Sequence, residues 1–133
     1  MQRNKYLEDI GIPIDRYSTN FTFDDDRRQS DWKEQREIYG FDDRETWNLE
    51  TTFVEWLYSR CMMYKEIGGN VVDLTFHKFT HDGKEYTQIE AIDYIIEYTK
   101  EYLQAGFIER DSLIEKVQYA THLWAEILPA MWW

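Results

Sequence analysis

Carboxylates hold most of the chemistry this chain can offer. Glu90, Asp93, Glu97 and Glu101 recur at i, i+3, i+7 and i+11, a spacing that lines four acids along one side of an α-helix. Such a row imitates successive phosphates and fits a basic groove in a partner. It also reads as the solvated side of an amphipathic helix. Tyr94, Tyr98 and Tyr102 follow at i, i+4 and i+8 between that acidic side and the apolar one. Tyrosines beside carboxylates suit a protein-binding surface, because aromatics dominate interface energetics; packing at the core boundary is the alternative. These seven residues are the expected partner-binding set.

Other chemistries find less material. Glu34-x-x-Glu37 and Glu90-x-x-Asp93 resemble the paired acidic motifs with which all-helical nucleotide pyrophosphohydrolases hold magnesium, and hard cations do want clustered carboxylates. The two pairs lie more than fifty residues apart, wider than that pattern. His77 and His81 flank a turn signal and, in one strand, would stand about 13 Å apart on one face. His122 and Glu126 share a helix face at i, i+4 and offer two metal ligands, with no third in the local sequence. Cys61, the single cysteine, falls on an apolar helix face and reads as an inert core thiol. Gly68-Gly69 is a helix stop rather than a phosphate loop. The expectation is a protein that is not an enzyme, with no metal and no cofactor.

Charge narrows the partners. The chain has 26 acidic and 15 basic residues, a net charge of −11. The excess is spread along the sequence: residues 1–47 are net −4 and residues 48–133 net −7. Nucleic acid and anionic membranes both require cations, so neither is an expected partner; a basic protein surface is the electrostatically preferred one. The N-terminal "MQRNKYLEDIG" lacks the apolar stretch of a signal peptide, and no apolar run reaches the roughly 18 residues of a membrane span. The expected location is the cytoplasm.

The elements that must position these residues are helical. At 133 residues the chain makes one domain: an irregular segment over 1–30, then a helical core over 31–133. "IGIPIDRYSTNFTF" reads as extended, with Phe21 and Phe23 alternating across a short strand. Ser30 caps a polar first helix over 31–39 that Gly40 stops, with Trp32, Arg36 and Tyr39 on one side. Asn48 opens the second helix, which ends at Gly68-Gly69. Its apolar face is Leu49, Phe53, Trp56, Leu57, Cys61 and Tyr64. A second stripe of Val54, Tyr58 and Met62 predicts contacts on two sides and a central place in the fold. Asp82-Gly83 in "THDGK" marks a β-hairpin. Thr87 and Glu90 form a capping box for the third helix, buried along Ile89, Ile92, Ile95, Ile96, Thr99 and Leu103. Ser112 and Glu115 form another for the fourth, buried along Leu113, Val117, Ala120, Leu123, Trp124, Ile127 and Leu128. Pro129 ends it. At least one of Trp132 and Trp133 is expected to dock into its own domain, on the Val54, Tyr58 and Met62 stripe, or in a homodimer into a symmetry mate, and so to close the core. The fold class is therefore mainly α: four helices with a small β-hairpin between helices 2 and 3.

At "GFDDRETWNLETTFVEWLYSRCMMYKE", together with "HLWAEILPAMWW", the sequence resembles small bacteriophage-encoded proteins of unassigned function, in which a W-[SN]-L-[DE] element opens a central helix. Here that element is Trp47, Asn48, Leu49 and Glu50. The resemblance implies a phage source and an all-helical core. A second, compositional likeness is to short acidic phage inhibitors of host defence, anti-CRISPR proteins among them, many of which imitate nucleic-acid charge. Together they imply a non-enzymatic, nucleic-acid-mimicking inhibitor. It would act in the host cytoplasm through protein–protein interaction, on a basic surface of a host or defence protein such as a CRISPR effector. The alternatives are the metal-dependent hydrolase and a virion structural or assembly component.

Overall fold

The computed structural model describes residues 3–12, 26–106 and 108–133. Among these the fold is mainly helical, with six α-helices, four of them long, rather than four in all. They are α1 (Lys5–Asp9), α2 (Asp26–Tyr39), α3 (Arg44–Trp47), α4 (Leu49–Glu66), α5 (Gln88–Gln104) and α6 (Glu109–Ile127). A hairpin of β1 (Lys78–His81) and β2 (Lys84–Thr87) stands between α4 and α5. The strand expected around Phe21 and Phe23 lies outside the described residues. No helix among those described is long and apolar enough to cross a membrane.

Four local features differ from the sequence reading. The segment expected to be irregular contains α1, whose Asn4 side chain caps Leu7 N at 3.2 Å, and the first turn of α2. Ser30 sits within α2 rather than at its cap; Arg27, Arg28 and Gln29 are good helix formers and carry the helix upstream. Asn48 makes no side-chain cap bond, because α3 runs up to it and leaves one residue for the turn into α4. Ser112 likewise lies within α6, its hydroxyl donating back to Glu109 O at 2.7 Å rather than capping.

The turn and cap chemistry that the sequence states most directly appears as read. Asp82 and Gly83 both take positive φ, 52° and 74°, the geometry of a type I′ hairpin turn. The antiparallel register pairs Phe79 with Tyr86 and His81 with Lys84. Gly40 takes φ +84° just beyond α2. Thr87 and Glu90 close the capping box of α5.

The central helix is α5, not α4: α5 packs against α4 on one side and α6 on the other. Its buried face is broad, with Ala91, Ile92, Ile95 and Thr99 shielded together with Gln88, Tyr102 and Leu103. One core cluster joins Leu57 and Cys61 of α4 to Ile92 and Ile95 of α5, to Ala120, Leu123 and Ile127 of α6, and to Tyr86 of the hairpin. A second gathers Leu7, Val54, Tyr58, Tyr102, Leu103 and Val117. Helix α4 is indeed contacted on two sides, but the Val54, Tyr58 and Met62 stripe is taken by Leu7 of α1 together with Tyr102 and Leu103 of α5 and Val117 of α6. Leu49, Trp56 and Leu128, expected inside, are exposed.

Candidate partner-binding surface

The carboxylate row of α5 faces solvent as its spacing requires: Glu90, Asp93, Glu97 and Glu101 are all exposed. Their surroundings differ. Glu90 closes the capping box, accepting from Thr87 N at 3.1 Å and from the Thr87 hydroxyl at 2.9 Å. Those bonds, the backbone one first, hold its carboxyl below the usual range. Asp93 accepts from Lys65 Nζ of α4 at 2.6 Å. Glu101 lies 3.6 Å from Lys116 Nζ of α6. Both pairs are solvated, so each contributes at most about 1 kcal/mol, and either lysine can be exchanged for a partner's cation.

The tyrosine row lies along the seam between α5 and α6, and each ring has a cation beside it. Lys84 Nζ of the hairpin is 5.3 Å from the Tyr94 ring centroid. Lys116 Nζ is 5.6 Å from that of Tyr98, and the Arg110 guanidinium 4.7 Å from that of Tyr102. Tyr94 and Tyr98 are half-buried and lean on one another at 5.5 Å. Tyr102 is buried, and its hydroxyl donates to Glu50 at 3.0 Å. Burial first, then that hydrogen bond, raises its pKa. The row thus divides: Tyr94 and Tyr98 can meet a partner along their exposed edges, whereas Tyr102 joins α4, α5 and α6.

Among the described residues the two acidic pairs are not brought into one metal-holding group. Trp32 of α2 donates to Asp43 at 2.9 Å, just before α3, which places Glu34 and Glu37 by the start of α4. Asp93 pairs with Lys65 in the last turn of α4. The two acidic pairs thus stand on different elements with different neighbours, Glu34 and Glu37 on α2 and Glu90 and Asp93 on α5. The structure does bring His81 to the helix face of His122 and Glu126: its ring stacks on His122 at 6.0 Å, and Nδ1 is 3.8 Å from Glu126 Oε1. His77 falls before β1 and outside this cluster. Among the described residues no three or more His, Cys, Asp or Glu side chains are placed to hold a metal ion. Cys61 is buried, and that burial pushes its thiol up to about 12, which leaves it a packing residue.

The chain matches no protein-family model, no curated protein and no solved structure.

Two features have only faint sequence signals. The stretch Asp42-Asp43-Arg44 reads as a charge run, yet Asp42 and Arg44 are buried. Arg44 grips the Asp42 carboxylate through Nε at 3.0 Å and Nη2 at 2.8 Å, and Arg36 adds Nη1 at 2.7 Å. The Arg44 guanidinium lies 4.0 Å from the Trp32 ring centroid. This clamp ties α2 to α3. The other feature is the seat of Trp133. Its indole rests on Gly68, so closely that a Cβ added there would meet Cδ1 at 2.7 Å. The expected docking is met only in part: Trp133 touches the turn after α4, not the stripe of Val54, Tyr58 and Met62, and with Trp132 72% and Trp133 57% exposed neither indole closes the core.

Proposed function

We propose that this chain is a non-enzymatic binding protein that occupies a basic surface of a partner protein. In its fuller form it is a phage-type inhibitor covering the nucleic-acid-binding face of a host or defence protein, a CRISPR effector being one example. The observation that carries this reading is the outward row of Glu90, Asp93, Glu97 and Glu101 on a chain of net charge −11. Along an α-helix these acids succeed one another about every 5–6 Å, a ladder of anions on a rigid rod. The rod is rigid because α5 is packed on both sides and capped at its start. Tyr94 and Tyr98 border the ladder and add apolar contact area.

The test is partner capture from host lysate by the tagged protein at low and at high salt, repeated with Asp93→Asn, Glu97→Gln and Glu101→Gln combined. Glu90 is kept because it caps the helix. Capture that 0.5 M salt strips away, and that the triple variant loses while still melting like wild type, supports the reading, since screening weakens exposed charge pairs. Capture indifferent to both overturns it.

A further inference from the structure

Beyond the ends of α4 and α6, Ile67, Val71, Trp132 and Trp133 stand exposed on one end of the molecule. The Trp133 indole and the Trp132 backbone are held without either ring being covered. Gln88, buried at the start of α5, donates to Ala130 O at 3.3 Å, and Met131 packs against the core. Trp132 N donates back to Ala130 O at 3.0 Å. Trp133 then lies on Gly68, yet it remains 57% exposed and Trp132 72%. A fixed aromatic loses little freedom when a partner covers it, the property that makes tryptophan a binding hot spot.

Charge indicates what covers it. Helices α4 and α6 run parallel: Arg110, early in α6, donates to Thr51, early in α4, at 2.9 Å, and Trp133 beyond α6 touches Gly68 beyond α4. Their partly negative C-terminal ends therefore converge beneath the indoles. The last turn of α6 carries no basic side chain. Lys65, in the last turn of α4, is turned to Asp93, and Glu66 beside it is exposed. Indole faces themselves attract cations.

We propose that Trp132 and Trp133, with Ile67 and Val71, seat a cationic amphipathic segment of a partner: Arg or Lys against the indoles, aliphatic side chains against Ile67 and Val71. The proposal rests on the basic-partner reading above and adds a contact site separate from the carboxylate row.

The experiment is calorimetric titration with three synthetic peptides of equal length: Leu and Arg at amphipathic helical spacing, the same with Glu for Arg, and the same with Ser for Leu. The Leu/Arg peptide binds wild type, Trp132→Ala weakens it at least tenfold, and the Leu/Glu peptide does not bind. Gly68→Ala dislodges the Trp133 indole while leaving both tryptophans in the chain, and it too weakens binding. The Ser/Arg peptide binds more weakly than the Leu/Arg one. Thermal melts confirm that both variants are folded; Trp132 is exposed enough that its loss leaves the fold standing. Equal affinity in wild type and both variants overturns the proposal. If binding instead falls only with the α5 triple variant, the indole site is wrong and the basic-partner reading survives. If neither cationic peptide binds, both fall. Concentration-dependent dimers that Trp132→Ala dissociates make a second copy the occupant and overturn the proposal as well.

Discussion

At the scale of single residues, Asp42 is the position where one atom changes most. Its carboxylate has no exposure and accepts from Arg44 and Arg36. Burial pushes the carboxyl up, and the hydrogen bonds from Arg44 and Arg36 together outweigh burial and hold it below the usual range. A depressed carboxyl contributes its full stability above the ordinary aspartate value, about 3.9, and loses it as pH falls through the folded value. Asp42→Asn keeps the shape and removes the charge that Arg44 and Arg36 grip. It is expected to cost about 3 kcal/mol, the lower end for a broken buried pair, because Arg36 is partly solvated. Urea denaturation at pH 7 measures the loss. Hydrogen exchange should place it in α2 and α3, and the difference from wild type should shrink as both are taken below pH 4.

Helix α5 shows at the scale of elements how one segment serves two roles. Its inner face is core, and its start is fixed by the reciprocal bonds of Thr87 and Glu90. Thr87→Ala removes the side-chain acceptor and is expected to lower stability by about 1 kcal/mol, read from the shift in denaturation midpoint at unchanged slope. The outer face is a different case. Asp93, Glu97 and Glu101 make only solvated contacts, so replacing them by amides should change stability by no more than about 0.5 kcal/mol each. A larger loss would mean that Lys65 and Lys116 tie the helices together more strongly than exposed pairs do. The hairpin, by contrast, owes its shape to two residues with positive φ, Asp82 and Gly83, and presents Tyr86 to the core.

For the whole molecule, one short helix matters most to the assignment of surfaces. Helix α1 is five residues long, yet Leu7 is buried with Val54, Tyr58, Tyr102, Leu103 and Val117. With α5 and α6 it turns an apolar stripe of α4 into interior. Leu7→Ala should cost at least 2 kcal/mol by the cavity it opens. It should also expose the stripe, so that a dye responsive to apolar surface binds the variant at temperatures where wild type excludes it. An unchanged melt with no dye binding would make α1 a loose attachment rather than a lid on the second core.

Local rules were enough for much of this fold. The Asp-Gly turn, the Thr87–Glu90 box, Gly40 beyond α2 and the inner faces of α5 and α6 all follow from neighbours within about one helical turn, where backbone geometry dictates which residue types fit. The outward direction of the carboxylate row was legible for the same reason. Periodicity shows that a face is covered but not what covers it. Hence α4 was expected to be central when α5 is, and the stripe of Val54, Tyr58 and Met62 was assigned to the tail when α1, α5 and α6 take it. The cations beside the tyrosines come from 10, 18 and 8 positions away, and Glu50 reaches Tyr102 across 52. Asp42 and Arg44 are close in sequence, but only Trp32 and Arg36 on another helix make their burial favourable. Trp133 finds its place because Gly68, far away in the chain, has no side chain to keep the indole out. Contacts of this kind depend on how whole helices pack, and that was settled by burial of the combined apolar surface rather than by any single segment.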